Sequence, residues 1–182
     1  PLLRQARHGP ERGHGRAGPR RGGADHKDGA PVGIRRRAAG AGAVLGALRA
    51  IAALKIPCNV MGIIACAENM PSGSAQRPGD VVKAANGKTI EVISTDAEGR
   101  MVLADAVWYA CKQGAAKVVD IATLTGGVIV ALGTETAGIV GNDDVLIRQL
   151  IEAGKKAGES YSQLPALPEC KEALKSDVAD LL

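Results

Sequence analysis

The chain has 182 residues, 46% of them apolar and only 2% aromatic, with a formal net charge of +4, which suits one domain or part of a larger one. The charge is concentrated in residues 1–37, where ten basic residues face three acidic ones for a balance of +7, while the remainder has thirteen basic and sixteen acidic residues and a balance of −3. Because base-binding surfaces combine positive charge with stacking aromatic rings, these numbers exclude a nucleic-acid interface in the larger part of the chain.

Residues 1–38 form a compositionally distinct start, rich in Arg, Gly and Pro, and they hold all three histidines, His8, His14 and His26. Such a segment cannot bury enough apolar surface to offset its ordering entropy, so we expect a disordered basic tail. Its residue mix is typical of GC-rich DNA read in another frame, which favours a frame error or a fragment as its origin. A basic tail that binds RNA or an acidic partner is the alternative.

Apolar residues recur at helical spacing in several segments that follow the tail. Asn142 or Asp143 can cap one of these helices, and Pro168 lies near the first turn of the last one, where proline is tolerated. We expect the last helix to continue to the chain end without a C-cap, as in an incomplete domain. The predicted helices cover residues 40–54, 100–112, 144–157 and 168–182.

Strand-like segments alternate with these helices. A short continuous apolar run at residues 58–67 predicts a strand buried on both faces, and "AKVVDIATL" at residues 116–124 predicts another buried strand. Asn86-Gly87 within residues 81–93 predicts a hairpin. Short connections between alternating strands and helices are typical of a layered α/β fold. We therefore expect an incomplete α/β domain with a largely parallel central sheet flanked by helices.

The four cysteines, Cys58, Cys66, Cys111 and Cys170, form no CxxC pair and lie in or beside apolar runs. We expect them to be reduced and buried, as in a cytosolic protein. The sequence contains neither a secretory signal pattern nor an uninterrupted apolar run long enough for a bilayer. A soluble cytoplasmic protein without a membrane partner is expected.

The stretch "ISTDAEGRMVLADAV", residues 93–107, places Asp96 and Glu98 two positions apart, directly before an apolar helical run. Ligands gather where the strands of an α/β sheet end and loops lead into helices. Two carboxylates there can bind one hard divalent cation or two adjacent ones, and Arg100 can hold an anion or a substrate group. From spacing alone, a helix-start cap on a solvated face explains the same pair.

The string "TDAEGR", residues 95–100, resembles the signature of the leucine aminopeptidase family, the cytosol aminopeptidases with two metal ions. The flanking stretches "AENMPSGSAQRPGDVVKAANGKTIEVIS" and "MVLADAVWYA" also resemble that family, as does "DIATLTGGVIVALG" at residues 120–133. The resemblance implies that Asp96 binds one metal ion, that Glu98 bridges both, and that Arg100 is catalytic by holding a bicarbonate ion as general base.

The resemblance further implies that Thr123, Leu124 and Gly126 line the pocket and bind the substrate, although a Thr-Gly turn between two strands would explain them equally. It implies two divalent metal ions, Mn or Zn, together with bicarbonate. It also implies hydrolysis of N-terminal residues, of the leucine type, from peptide substrates by a homo-hexamer.

This sequence departs from the family upstream of residues 40–54. The resemblance leads us to expect a lysine and aspartates in "GKG…FDSGG" and "K-x-D-M-x-G" stretches, and neither string occurs here. The family's N-terminal domain and roughly its last hundred residues also have no counterpart. We therefore expect residues 39–182 to be a partial metallo-aminopeptidase catalytic domain that is inactive or impaired. A non-catalytic structural or interaction protein on the same fold is the alternative.

Overall fold

The computed structural model describes residues 39–67 and 72–182, so the predicted tail at residues 1–38 lies outside the described residues. These ranges contain five helices and four strands, and a 3-10 turn, Thr95–Ala97, precedes the second helix. The α/β class is confirmed. The elements in chain order are α1 Ala39–Ala53, β1 Val81–Lys83, β2 Thr89–Glu91, α2 Glu98–Lys112, α3 Gly127–Leu132, β3 Thr136–Ile139, α4 Asp144–Ala157, β4 Ser160–Gln163 and α5 Pro168–Glu172.

The predicted hairpin is confirmed as an antiparallel pair of β1 and β2, with Val82 opposite Ile90. Gly87 has a φ of +89°, which the turn requires and which glycine adopts without a Cβ penalty. The side chain of Asn86 accepts a hydrogen bond from the backbone N–H of Lys88 at 2.9 Å. The Asn-Gly pair therefore sets the turn through local interactions, as its sequence indicates.

The C-terminal residues do not continue the last helix, so the prediction of a helix over 168–182 is wrong beyond Glu172. The chain instead returns to β2, where Leu181 forms a parallel bridge with Ile90. A carboxylate oxygen of Asp180 accepts hydrogen bonds from the backbone N–H of Thr89 at 2.7 Å and from its hydroxyl at 2.8 Å. At the C-terminal end of the chain, hydrogen bonds between residues 91 positions apart therefore take the place of the hydrogen bonds of a helix.

The second sheet is the parallel pair of β3 and β4, in which Ala137 lies opposite Tyr161. Its strands are joined by α4, whose bounds match the predicted helix at 144–157. Ile147 of α4 is 3% exposed, and a Cβ at Gly154 would overlap the ring of Tyr161. The helix therefore packs closely onto β4, as in a crossover unit that connects two parallel strands.

Residues 58–67 and 116–124 were predicted to be buried strands, and this prediction is wrong on both counts. Neither segment belongs to a sheet among the described residues, and Val60, Met61 and Val119 are each more than half exposed. An extended segment becomes a strand only when a neighbouring strand takes its backbone hydrogen bonds. The described part of the chain places no such neighbour beside them.

The cysteines also differ from expectation, because all four are free but exposed rather than buried. Few apolar side chains are buried: among the described residues the buried ones are Val92, Ala110 and Ile147. Within the same ranges, no helix is both long and apolar enough to cross a lipid bilayer.

Candidate functional site

The candidate site begins where the hairpin ends. Val92 is 2% exposed, and Ser94 has extended backbone angles, so the chain leaves the sheet through residues 93 and 94. It then tightens into the 3-10 turn and enters α2 at Glu98. A carboxylate in the first turn of a helix is favoured by the positive end of the helix dipole. The local sequence therefore places Asp96 in the 3-10 turn and Glu98 at the first residue of α2.

The three charged side chains of this segment differ in exposure. Asp96 and Arg100 are exposed, whereas Glu98 is half-buried and its Oε2 atom is shielded from solvent. A shielded carboxylate oxygen is costly unless a hydrogen bond or a cation compensates it. Glu98 is therefore less solvated than Asp96 and Arg100.

The second part of the predicted pocket lies against the first. A Cβ built on Gly99 would lie 3.5 Å from Cδ1 of Leu124, which is ordinary van der Waals distance. Leu124 is still 49% exposed, so its side chain borders the start of α2 without being enclosed. The structure therefore places residues 98–100 beside the segment "ATLTG" at residues 122–126.

The other two predicted pocket residues, Thr123 and Gly126, are exposed and lie on the same segment. The expected turn between two strands is wrong, because Gly126 precedes α3 rather than a strand. Thr125 accepts a hydrogen bond from the backbone N–H of Gly127 at 3.1 Å and so fixes the entry into α3. Sequence reasoning missed Thr125 and Gly99, although a threonine two residues before a helical N–H is a recognisable signal.

The carboxylates available here do not form a complete metal site. Within residues 39–67 and 72–182, no group of three or more His, Cys, Asp or Glu side chains could hold a metal ion. Two divalent ions need several more oxygen ligands than this pair provides.

Comparison with known proteins shows a clear similarity. The profile described as "Cytosol aminopeptidase family, catalytic domain" matches residues 21–182. The chain is 56% identical over 142 residues to a probable cytosol aminopeptidase of Alkaliphilus oremlandii, covering 78% of this chain and 28% of the relative. It is 54% identical over 142 residues to the corresponding protein of Azotobacter vinelandii, covering 78% of this chain and 29% of the relative.

Two solved structures resemble the fold. The K354E mutant of tomato leucine aminopeptidase has a TM-score of 0.72 and 46% identity, covering 78% of this chain and 28% of the other. The bottromycin maturation enzyme BotP has a TM-score of 0.77 and 44% identity, covering 80% and 32%. The chain thus spans less than a third of the length of each of these proteins.

Proposed function

The chain belongs to the cytosol aminopeptidase family, and from this premise we propose that residues 96–100 are part of the site of a metal-dependent aminopeptidase. The reaction proposed is hydrolysis of N-terminal residues, of the leucine type, from peptides. The observation that carries the proposal is the proximity of Gly99 to Leu124, whose Cδ1 would lie 3.5 Å from a Cβ at Gly99. The carboxylate segment therefore lies beside residues 123–126, to which we assign substrate binding.

The roles proposed for the site follow the chemistry of each side chain. Asp96 and Glu98 provide hard carboxylate oxygens for divalent cations, with Glu98 shared between two ions. Arg100 provides an exposed guanidinium that can hold bicarbonate through paired hydrogen bonds. Leu124 offers an apolar contact to a substrate side chain, next to the backbone of Thr123 and Gly126.

The cofactors proposed for the complete site are two divalent metal ions, Mn or Zn, with bicarbonate. The described residues do not fit such a pair, because Asp96 and Glu98 stand without a third metal-ligating group. The chain by itself is therefore proposed to be inactive or strongly impaired. Peptides are the proposed substrates, the cytoplasm is the proposed location, and a homo-hexamer is the proposed assembly of the complete enzyme.

A calorimetric titration of the purified chain with Mn²⁺, paired with a Leu-p-nitroanilide assay, tests this proposal. We expect weak Mn²⁺ binding that Glu98→Ala or Asp96→Ala abolishes, and no turnover above the buffer rate. Glu172→Ala is the matched control, because Glu172 is a surface carboxylate paired with Lys175 and should leave Mn²⁺ binding unchanged.

Two results would contradict parts of the proposal. Robust hydrolysis that disappears in Glu98→Ala would show that the chain is not impaired. Mn²⁺ binding that survives loss of both carboxylates would remove them as ligands.

A non-catalytic interaction protein on the same fold is the second candidate. It is favoured by the exposed apolar segments at 58–67 and 116–124, since contiguous exposed apolar surface marks interaction sites. A complete absence of Mn²⁺ binding in the same titration would select this candidate.

A further inference from the structure

The turn of the hairpin holds a chemically reactive pair of residues, Asn86 and Gly87, both exposed to solvent. A backbone nitrogen that follows an asparagine can attack the amide carbon of that side chain and close a succinimide ring. A Cβ on the following residue crowds the attacking nitrogen, and glycine has none. Among the described residues, nothing beyond its chain neighbours lies within 4 Å of a Cβ built on Gly87. Solvent therefore reaches the pair.

The hydrogen bonds of the turn favour one part of this reaction and oppose another. The backbone N–H of Lys88 donates to Oδ1 of Asn86 at 2.9 Å, and a donor at this oxygen stabilises the negative charge that develops there during the attack. The attacking group, the N–H of Gly87, donates to the carbonyl oxygen of Ala84 at 2.9 Å. The bond between Gly87 and Ala84 must therefore break before the ring can close.

Asp105 of α2 holds the turn in its closed form. Its Oδ1 accepts a hydrogen bond from the backbone N–H of Ala85 at 2.8 Å, across 20 positions of the sequence. Hydrogen bonds with an ionised acceptor are stronger than those between neutral groups, and this one connects the turn to a helix of 15 residues. Opening of the turn therefore requires release of Ala85 by Asp105.

We propose that Asn86 is a site of spontaneous deamidation and that Asp105 sets its rate. The nitrogen of Gly87 forms a bond to Cγ of Asn86 and gives its proton to solvent, while the bond from Cγ to Nδ2 breaks and ammonia leaves. Water, the only co-reactant, then opens the succinimide. Its addition at Cγ gives aspartate at position 86, and its addition at the backbone carbonyl carbon gives isoaspartate.

Isoaspartate changes the hairpin more than aspartate does, because it lengthens the backbone by one methylene group. The turn needs the N–H groups of Ala84 and Gly87 to pair with the carbonyl oxygens of Lys88 and Ala84, respectively. An added methylene group displaces these partners. Since the turn fixes the register of a hairpin, the pairing of Val82 with Ile90 should loosen in the isoaspartate form.

Incubation of the purified full chain from pH 7 to pH 9 tests the proposed site. Peptide mass spectrometry detects the replacement of NH₂ by OH, and carboxyl methylation by a protein isoaspartate methyltransferase detects isoaspartate. Asn59 and Asn142 are internal controls, because both are exposed and precede residues that carry a Cβ. We expect conversion of Asn86 at least about tenfold faster than that of Asn59, since the β-branched Val60 crowds the attacking nitrogen. The rate at Asn86 should rise with pH, because the attacking nitrogen must lose its proton.

Substitutions separate the reactive pair from its control by α2. Asn86→Gln should abolish fast conversion at this position, because the longer side chain closes a ring less readily. Asp105→Ala should speed conversion of Asn86 at least about threefold, because local opening of the turn becomes easier. Asp105→Asn is the matched control, since an amide oxygen still accepts from Ala85, and it should keep the rate within about twofold. Hydrogen exchange of the Ala85 and Gly87 amides measures the opening directly.

Conversion of Asn86 no faster than that of Asn59 and Asn142 would overturn the proposed site. An unchanged rate in Asp105→Ala would overturn the role of Asp105. Equal acceleration at all three asparagines in that variant would indicate general unfolding and would also overturn this role. The proposal is independent of the proposed aminopeptidase function, because its readouts involve neither Mn²⁺ binding nor hydrolysis of Leu-p-nitroanilide.

Discussion

At the scale of single residues, Asp143 shows how one carboxylate starts a helix. Its side chain accepts hydrogen bonds from the backbone N–H groups of Leu146 at 2.9 Å and of Val145 at 3.0 Å, which satisfies two donors that have no partner within α4. The Leu146 bond, the Val145 bond and the charges of Lys117 and Arg148 together lower the pKa of Asp143, against a smaller effect of desolvation.

This lowered pKa predicts the pH dependence of α4. The stabilisation is fully present above the ordinary Asp pKa of 3.8 and is lost as pH falls through the lower pKa of the folded state. Asp143→Ala should lower the melting temperature at pH 7, whereas Asp143→Asn should largely preserve it because an amide oxygen also caps. Thermal melts from pH 7 to pH 2 check this prediction.

The asparagine variant is the control for charge. Below pH 3.8 the difference between the original chain and Asp143→Asn should shrink or reverse, since the protonated carboxyl is a weaker acceptor. If Asp143→Ala has the same melting temperature as the original chain at pH 7, the Asp143 cap does not stabilise the folded state.

At the scale of elements, the packing of α1 onto residues 116–124 depends on a glycine. A Cβ at Gly40 would overlap the backbone of Ile121, while nothing lies within 4 Å of a Cβ at Gly46. Gly46→Ala should stabilise the chain by about 0.5–1 kcal/mol through helix propensity. Gly40→Ala should destabilise it by about 1–3 kcal/mol, because overpacking against a fixed backbone outweighs that gain.

Chemical unfolding of the two variants measures the contrast. The substitutions have the same chemistry on the same helix, so their opposite signs would come from packing alone. Equal stabilisation by both alanines would show that α1 does not press on residues 116–124.

Elements with local signals could be predicted from the sequence. The Asn86-Gly87 turn needs only its own backbone angles, and α4 has periodicity and a cap within the same segment. The C-terminal end could not be predicted, because Asp180 binds Thr89 from 91 positions away. Helix α3 was missed because its run of Val and Ile suits a buried strand as well as a helix.

The candidate site rests on a sequence motif, and the roles of its residues stay predictions. The hexapeptide at residues 95–100 predicts the segment, and the structure places Gly99 beside the side chain of Leu124. The convergence of Asp96 and Glu98 on a shared cation stays a prediction. It depends on ligands from other segments, which spacing within one hexapeptide cannot specify.

At the scale of the whole molecule, the described residues bury little apolar surface. Val92, Ala110 and Ile147 are the buried apolar side chains of that part of the chain, while large side chains such as Leu54, Val130 and Val140 are 60% or more exposed. The two sheets in the described part have two strands each. Such small sheets depend on further packing for their stability.

The urea dependence of unfolding should reveal this shortage of buried surface. The m-value scales with the surface exposed on unfolding and is about 1–3 kcal/mol/M for small proteins, so the isolated chain should lie at or below the lower end. It should also bind the dye ANS, which reports exposed apolar surface. An isolated chain with an m-value near 3 kcal/mol/M and no dye binding would mean that its core is already self-sufficient.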